Sequence, residues 1–241
     1  MLTKLLRSRV PCHTEDMERP RRTHAEARAA MREGILRLGN EQLAQVGAAS
    51  LSVREIARGL GVASSAIYRH VASRDELLTL LLVDAYEDLA AAALSEVVEA
   101  SPAARLASIA RGMRGWAVAH PERWALIYGS PVPGYAAPSE LTMEPGTRVM
   151  AAFLEVLSTG AVEPLPPAVS NELAAELAAG GSELGVAADP ALAAAAVEAW
   201  AGLVGLISAE VFGQLGPDLA RHSDELLERW AAGTAARFKL G

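Results

Sequence analysis

Residues 52–76 read SVREIARGLGVASSAIYRHVASRDE, and hydroxyls, a phenol and arginines crowd the middle of the run. On a helix starting at Ser64, the side chains of Ser64, Ser65, Tyr68 and Arg69 would point outward within two turns. Short hydroxyls and a guanidinium on such a face suit hydrogen bonding to base edges in the major groove of duplex DNA. That chemistry requires the helix to be held rigidly, and the flanking residues supply the means.

Ser52-Val53-Arg54-Glu55 has the pattern of a capping box. Ser52 would accept from the third helical amide and Glu55 would reach back to the Ser52 amide. The short helix it opens ends at Gly61, a residue suited to a positive φ. Ala57 is small enough for a close helix crossing, and Ile56, Leu60, Val62 and Ile67 would close a small core beneath. Two short helices meeting at a glycine turn make a helix-turn-helix. Ser73-Arg74-Asp75-Glu76 is a second capping box, opening a long helix through Leu82, Tyr86 and Leu89.

Charge is divided along the chain. The formal net charge of −7 conceals a balance of +5 over residues 1–75 and of −12 over residues 76–241. A basic end implies an anionic partner, and double-stranded DNA fits because basic side chains release its condensed counterions. A chance surface fluctuation would produce the same asymmetry. Composition, 51% hydrophobic and 5% aromatic, is that of a folded chain, and its Ala/Leu/Glu/Arg stretches predict an all-α fold. The single cysteine, Cys12, excludes a disulfide framework and a cysteine-based zinc site. Histidines 13, 24, 70, 120 and 222 do not cluster as metal ligands, and no cofactor is implied. Nucleophile-elbow, phosphate-loop, zinc-protease and dinucleotide patterns are missing, so the chain is not expected to be an enzyme. No signal-like apolar run opens the sequence, and the apolar stretch between Glu198 and Glu210 is too short to span a bilayer. These features predict a soluble cytoplasmic protein.

Residues 52–78 then resemble the TetR family of transcriptional regulators. The matching residues are Arg54-Glu55-Ile56-Ala57, Gly61-Val62, Ile67-Tyr68-Arg69-His70 and Ser73-Arg74-Asp75-Glu76-Leu77-Leu78. With the helix in front and the long helix behind, the specific part covers about residues 25–80. Ala63 stands where a capping Ser is frequent, and Val71 where an aromatic is usual. The resemblance implies that Tyr68, Arg74 and His70 contact phosphates, and that Ser64, Ser65, Arg69 and Arg54 are candidates for base contacts. Tyr68 is either such a contact or a half-buried packing residue, and Arg69 either a base contact or a phosphate or solvent contact. Arg21 and Arg22 either reach the minor groove from a flexible arm over residues 1–22 or remain solvated.

The organisation expected is a helix-turn-helix domain over 23–75 and a larger ligand-binding and dimerisation domain over 76–241, with about nine helices in all. Helices are expected near 103–119, 121–129, 145–160, 169–186, 190–212 and 218–238, with an irregular loop through Pro131, Pro133, Gly134 and Pro138. Arg111 to Pro121, with Trp124, Tyr128-Gly129 and Pro131 to Tyr135, is similar to a C-terminal subgroup of these regulators known by its Trp, His and Gly positions. Trp116 and His120 are four apart, as are Trp124 and Tyr128, so each pair shares a helix face. With Met113, Met150 and Phe153 they either line an apolar pocket or form core, and His120 before Pro121 also suits a local cap. The 191–212 helix is apolar nearly all round and, with the 218–238 helix, forms either a dimer seam or monomer core. A dimer would set two recognition helices about 34–36 Å apart, matching a pseudo-palindromic operator. The family reading is a repressor responsive to a small apolar or aromatic effector; the alternative is a helix-turn-helix DNA-binding protein that senses nothing.

Overall fold

The computed structural model describes residues 24–95, 101–164 and 167–241. The arm expected over 1–22, with Arg21 and Arg22, lies outside them. All regular structure among the described residues is helical, as composition predicts.

Helix α1 (His24–Val46), α2 (Val53–Gly59), α3 (Ser64–Ile67) and the first turns of α4 (Arg74–Leu94) enclose a small core. Ile35, Leu43, Ile56, Ala57, Ile67, Leu77, Leu78 and Leu81 are buried in it. Gly61 takes φ +67°, and behind it the Val62 amide returns to the Ala57 carbonyl at 3.1 Å, so α2 stops and α3 starts within a few residues. Ser52 caps α2 by accepting from the Glu55 amide, but the return half of the capping box is not made. Gln42 takes the place of Glu55: its Oε1 accepts from the Ser52 amide at 3.0 Å and its Nε2 donates to the Ser52 carbonyl. At the second box Ser73 accepts from the Glu76 amide at 3.1 Å, and Glu76 reaches the Ala72 amide.

Helix α4 runs out of this core into a larger one, where Ala85, Leu89, Ala90 and Ala93 are buried. Against it lie α5 (Pro102–Ala119), α6 (Pro121–Tyr128) and α7 (Ser139–Ser158), followed by α8 (Asn171–Glu183), α9 (Pro190–Val211), α10 (Gly216–Ala220) and α11 (Ser223–Arg237). The close crossing of α4 and α5 depends on Gly112, where a Cβ would sit 2.6 Å from the Ala92 carbonyl oxygen.

Helix α9 runs as expected, and the clearest departures are at α7 and at the last helix. Helix α7 begins six residues before Pro145, which sits inside it and is buried. Proline favours a first helical position, which is why the sequence points to a start there; here a full turn and a half precedes it, tied by the Thr142 amide and hydroxyl to the Pro138 carbonyl. The last helix divides into α10 and α11 at His222, with Ser223 buried and its hydroxyl donating to the Ala220 carbonyl. Helix α9 extends past both Glu198 and Glu210, so by length and composition alone it could cross a membrane. It instead packs on α5, α6, α7, α8 and α11, and its carboxylates are answered by Arg237 and Arg114.

Candidate DNA-binding face and effector cavity

The face expected to meet DNA is assembled by the turn at Gly61. Ile67 points inward and is fully buried, which turns Ser64, Ser65, Tyr68, Arg69 and His70 to solvent. Tyr68 is 40% exposed. Helix α3 proper ends at Ile67, but the chain keeps turning: the Tyr68 amide donates to Ser64, and those of His70 and Val71 to Ile67. Ala63 caps α3 with no side-chain hydrogen bond. Arg54 is exposed on the first turn of α2. Arg74 is set differently from the others. Its Nη2 donates to the Ala48 carbonyl at 2.9 Å, tying α4 to the turn at residues 48–50.

Beside α3 the structure gathers cations that sequence spacing leaves apart. Arg28 and Arg32, one turn apart on α1, line a cleft of about 320 Å³ with Arg69 and His70. None of the three arginines is in an ion pair among the described residues. Their i,i+4 spacing on α1 was the available signal, but only the fold shows that this end of α1 adjoins α3.

The aromatic pairs of the second core have structural partners. Trp124 is completely buried, and its indole N–H donates to the Ser208 hydroxyl on α9 at 3.1 Å. Tyr128 lies tilted against it at 4.4 Å between ring centroids, and burial, then the neighbouring Tyr86, pushes the Tyr128 phenol upward. Met113 is fully buried. Trp116 donates to Asp88 Oδ2 at 3.1 Å and lies 5.5 Å from the His120 ring. The His120 side chain caps nothing; its backbone amide ends α5 and its carbonyl starts α6.

The apolar cavity of the second core lies elsewhere, between α7, α8 and the start of α9. Its volume is about 320 Å³ and Phe153, Leu154, Leu177, Ala196 and Trp200 form much of its wall. Of the seven residues expected to line a pocket, Met150 and Phe153 are on that wall, while Met113, Trp116, His120, Trp124 and Tyr128 are not. Small residues make this space, Gly180 among them, where a Cβ would meet nothing within 4 Å. Helix α8, which closes one side, buries none of its residues.

A charged cluster joins the two cores. Arg123 on α6 is only 8% exposed, and its guanidinium donates to Asp84 at 2.8 Å and to Asp88 at 2.6 Å, both on α4. Asn40 on α1 donates to the same Asp84 oxygen at 3.2 Å. Burial pushes the Asp88 carboxyl up, but the Trp116 indole and the Arg123 guanidinium outweigh it and hold the group below the usual carboxylate range. Nearby, Tyr135 in the loop after α6 shares a 3.0 Å hydrogen bond with Thr79 on α4, and Val132 and Tyr135 pack on the small core. A shift of α6 therefore reaches α1 and the head of α4 directly.

Comparison with known proteins gives this architecture its family. Residues 35–81 match the model of the bacterial regulatory proteins of the tetR family, and residues 106–233 match a tetracyclin repressor-like C-terminal domain. The HTH-type transcriptional regulator Rv1816 of Mycobacterium tuberculosis is 46% identical over 201 residues, covering 80% of this chain and 86% of the relative. A crystal structure of the regulatory protein SCO4313 superposes with a TM-score of 0.71 at 30% identity, covering 89% of this chain and all of that one. FadR of Bacillus subtilis, crystallised with stearoyl-CoA, shares the fold at a TM-score of 0.52 and 16% identity, over 83% of this chain and 98% of that one. The exposed helix-turn-helix, the helical second core and these matches together establish that the chain belongs to the TetR family and is a DNA-binding transcriptional regulator.

Proposed function

We propose that this regulator is a homodimeric repressor whose operator affinity falls when a small molecule occupies the cavity between α7, α8 and α9. The observation that carries the reading is the Asn40–Asp84–Arg123–Asp88 cluster, which ties the cavity-bearing core to the helix-turn-helix. An effector that binds better in a conformation with the wrong recognition-helix spacing must lower operator affinity by the same factor. Helix α4 carries the movement because it is buried in both cores. The same fold holds a small molecule in the Bacillus subtilis FadR structure.

On DNA, Ser64, Ser65, Arg69 and Arg54 read bases, and Tyr68 and His70 hold phosphates. Arg28 and Arg32 join them as phosphate contacts, since their cleft adjoins α3 and neither is in an ion pair among the described residues. Arg74 acts through the carbonyl it ties down. The dimer forms through α9, whose outward Val197, Ala201 and Gly205 repeat every four residues and carry no charge. A second copy on that face would cover the apolar surface that lets α9 resemble a membrane span.

The test is a compound screen for release from operator DNA, run on the wild type and on Gly180→Phe. An added ring at residue 180 enters open space beside the cavity, so operator binding should persist while the response disappears. A compound that releases both proteins equally acts elsewhere, and a chain no compound releases is a DNA-binding protein without sensing.

A further inference from the structure

The cavity is one-sided in charge. Among the described residues its wall holds a single ionisable side chain, Glu176, amid apolar groups and small residues. The surrounding sequence shares that bias. Residues 149–220 contain nine Asp and Glu and no Lys, Arg or His across 72 consecutive positions, and all of α8 and α9 lies within them. Several of these carboxylates are answered from elsewhere: Glu163 by Lys239, Glu198 by Arg237, Glu210 by Arg114 and Asp218 by Arg221. Asp189 caps α9. Glu172, Glu176 and Glu183 on α8 take part in no ion pair among the described residues.

An anion entering this space would leave water without gaining a basic partner, and would do so beside the Glu176 carboxylate. A molecule such as stearoyl-CoA carries phosphates that no side chain of this wall can neutralise. A cation meets the opposite situation. Glu176, exposed on α8 where it lines the wall, offers it a carboxylate, and Phe153 and Trp200, whose rings meet edge-on at 5.3 Å, give its apolar part an aromatic wall.

Resting on the reading of this cavity as the effector site, we infer that the effector is a lipophilic monocation: an apolar body within the cavity and one ammonium group at Glu176. The cavity then selects by charge as well as by shape. Fatty acids and acyl thioesters of nucleotides are excluded for want of a basic residue, and neutral analogues of the same shape bind more weakly than the amine.

Calorimetry of the full chain with decylamine, decanol and decanoate at matched ionic strength tests this. Decylamine should bind about tenfold more tightly than decanol, with decanoate weakest, and Glu176→Gln should reduce the amine to the level of the alcohol while leaving the alcohol unchanged. Decanoate binding as tightly as decylamine, or an amine preference that survives Glu176→Gln, overturns the inference. Gly180→Phe separates that failure from failure of the cavity reading. If decanol binds and Gly180→Phe blocks it, the cavity stands even where charge selection falls. If none of the three binds, or Gly180→Phe changes nothing, both fall.

Discussion

The small core around α1–α3 and the large core around α5–α9 arrange their chemistry in opposite ways. In the first, the reactive groups are outside: Ser64, Ser65, Tyr68, Arg69 and His70 face solvent while Ile56, Ala57 and Ile67 fill the interior. In the second, the conspicuous residues are inside and already engaged. Trp124 holds Ser208, Trp116 and Arg123 hold Asp88, and the space open to a ligand is framed by alanines, glycines and leucines. A surface that binds a polymer is built from what side chains present, whereas a cavity is built from what they lack. Conspicuous residues therefore mark the first kind of site and mislead about the second.

Tryptophan replacement is the strongest way to break this contrast. Trp124→Ala should cost about 3–5 kcal/mol in urea unfolding, because a completely buried ring and its hydrogen bond are both lost. Trp200→Ala, at the cavity wall, should cost less than half as much. Equal losses would mean that Trp200 is core and that the cavity is not a separate feature.

The link between the cores comes next. Arg123→Ala should destabilise by about 1–2 kcal/mol, since it removes the partner of Asp84 and Asp88 but both carboxylates keep some contact with water. A pH series sharpens the point. The Asp88 carboxyl is held below its usual value, so its contribution to stability is complete above the unfolded-state pKa and is lost as pH falls through the lower folded-state value. Thermal melts of Asp88→Asn between about pH 5 and 2 should accordingly lose less stability than wild type on acidification. A steeper acid loss in the variant would contradict the assignment.

Arg69→Ala should leave the melting temperature unchanged and weaken operator binding by about 1–3 kcal/mol. Its salt series distinguishes the two contacts available to a guanidinium. A phosphate contact lowers the salt slope by about 0.9 on every sequence, whereas a base contact penalises the operator and spares random DNA.

The smallest effects lie at the first helix cap. Ser52→Ala should cost about 1 kcal/mol, while Glu55→Ala should be nearly neutral, because Gln42 and not Glu55 answers the Ser52 amide. Urea midpoints of the two variants and of Gln42→Ala would show which side chain completes the cap.

What the sequence discloses follows from how local each feature is. The Ser52 and Ser73 caps, the turn at Gly61 and the inward Ile56 and Ile67 depend on a few adjacent residues, and they were legible. The reciprocal bond from Gln42, ten residues before Ser52, was not, nor was the cleft that sets Arg28 and Arg32 beside Arg69. Pro145 hides the first turns of α7, because proline's preference for a helix start points to a beginning there while its buried ring tolerates an interior place. The cavity was least legible of all. Its walls come from three helices, its volume from glycine and alanine, and of the seven expected residues Met150 and Phe153 reach it.

Fluorescence anisotropy on the DNA upstream of the protein's own coding region, for wild type and Tyr68→Ala across a salt series, tests the central claim most directly. The account predicts tight, salt-sensitive binding by a dimer, and a substitution that weakens it with an unchanged melting temperature. Equal operator affinity for wild type and variant, or weaker binding accompanied by an equal loss of stability, would contradict the assignment of the exposed α3 face as the surface that reads DNA.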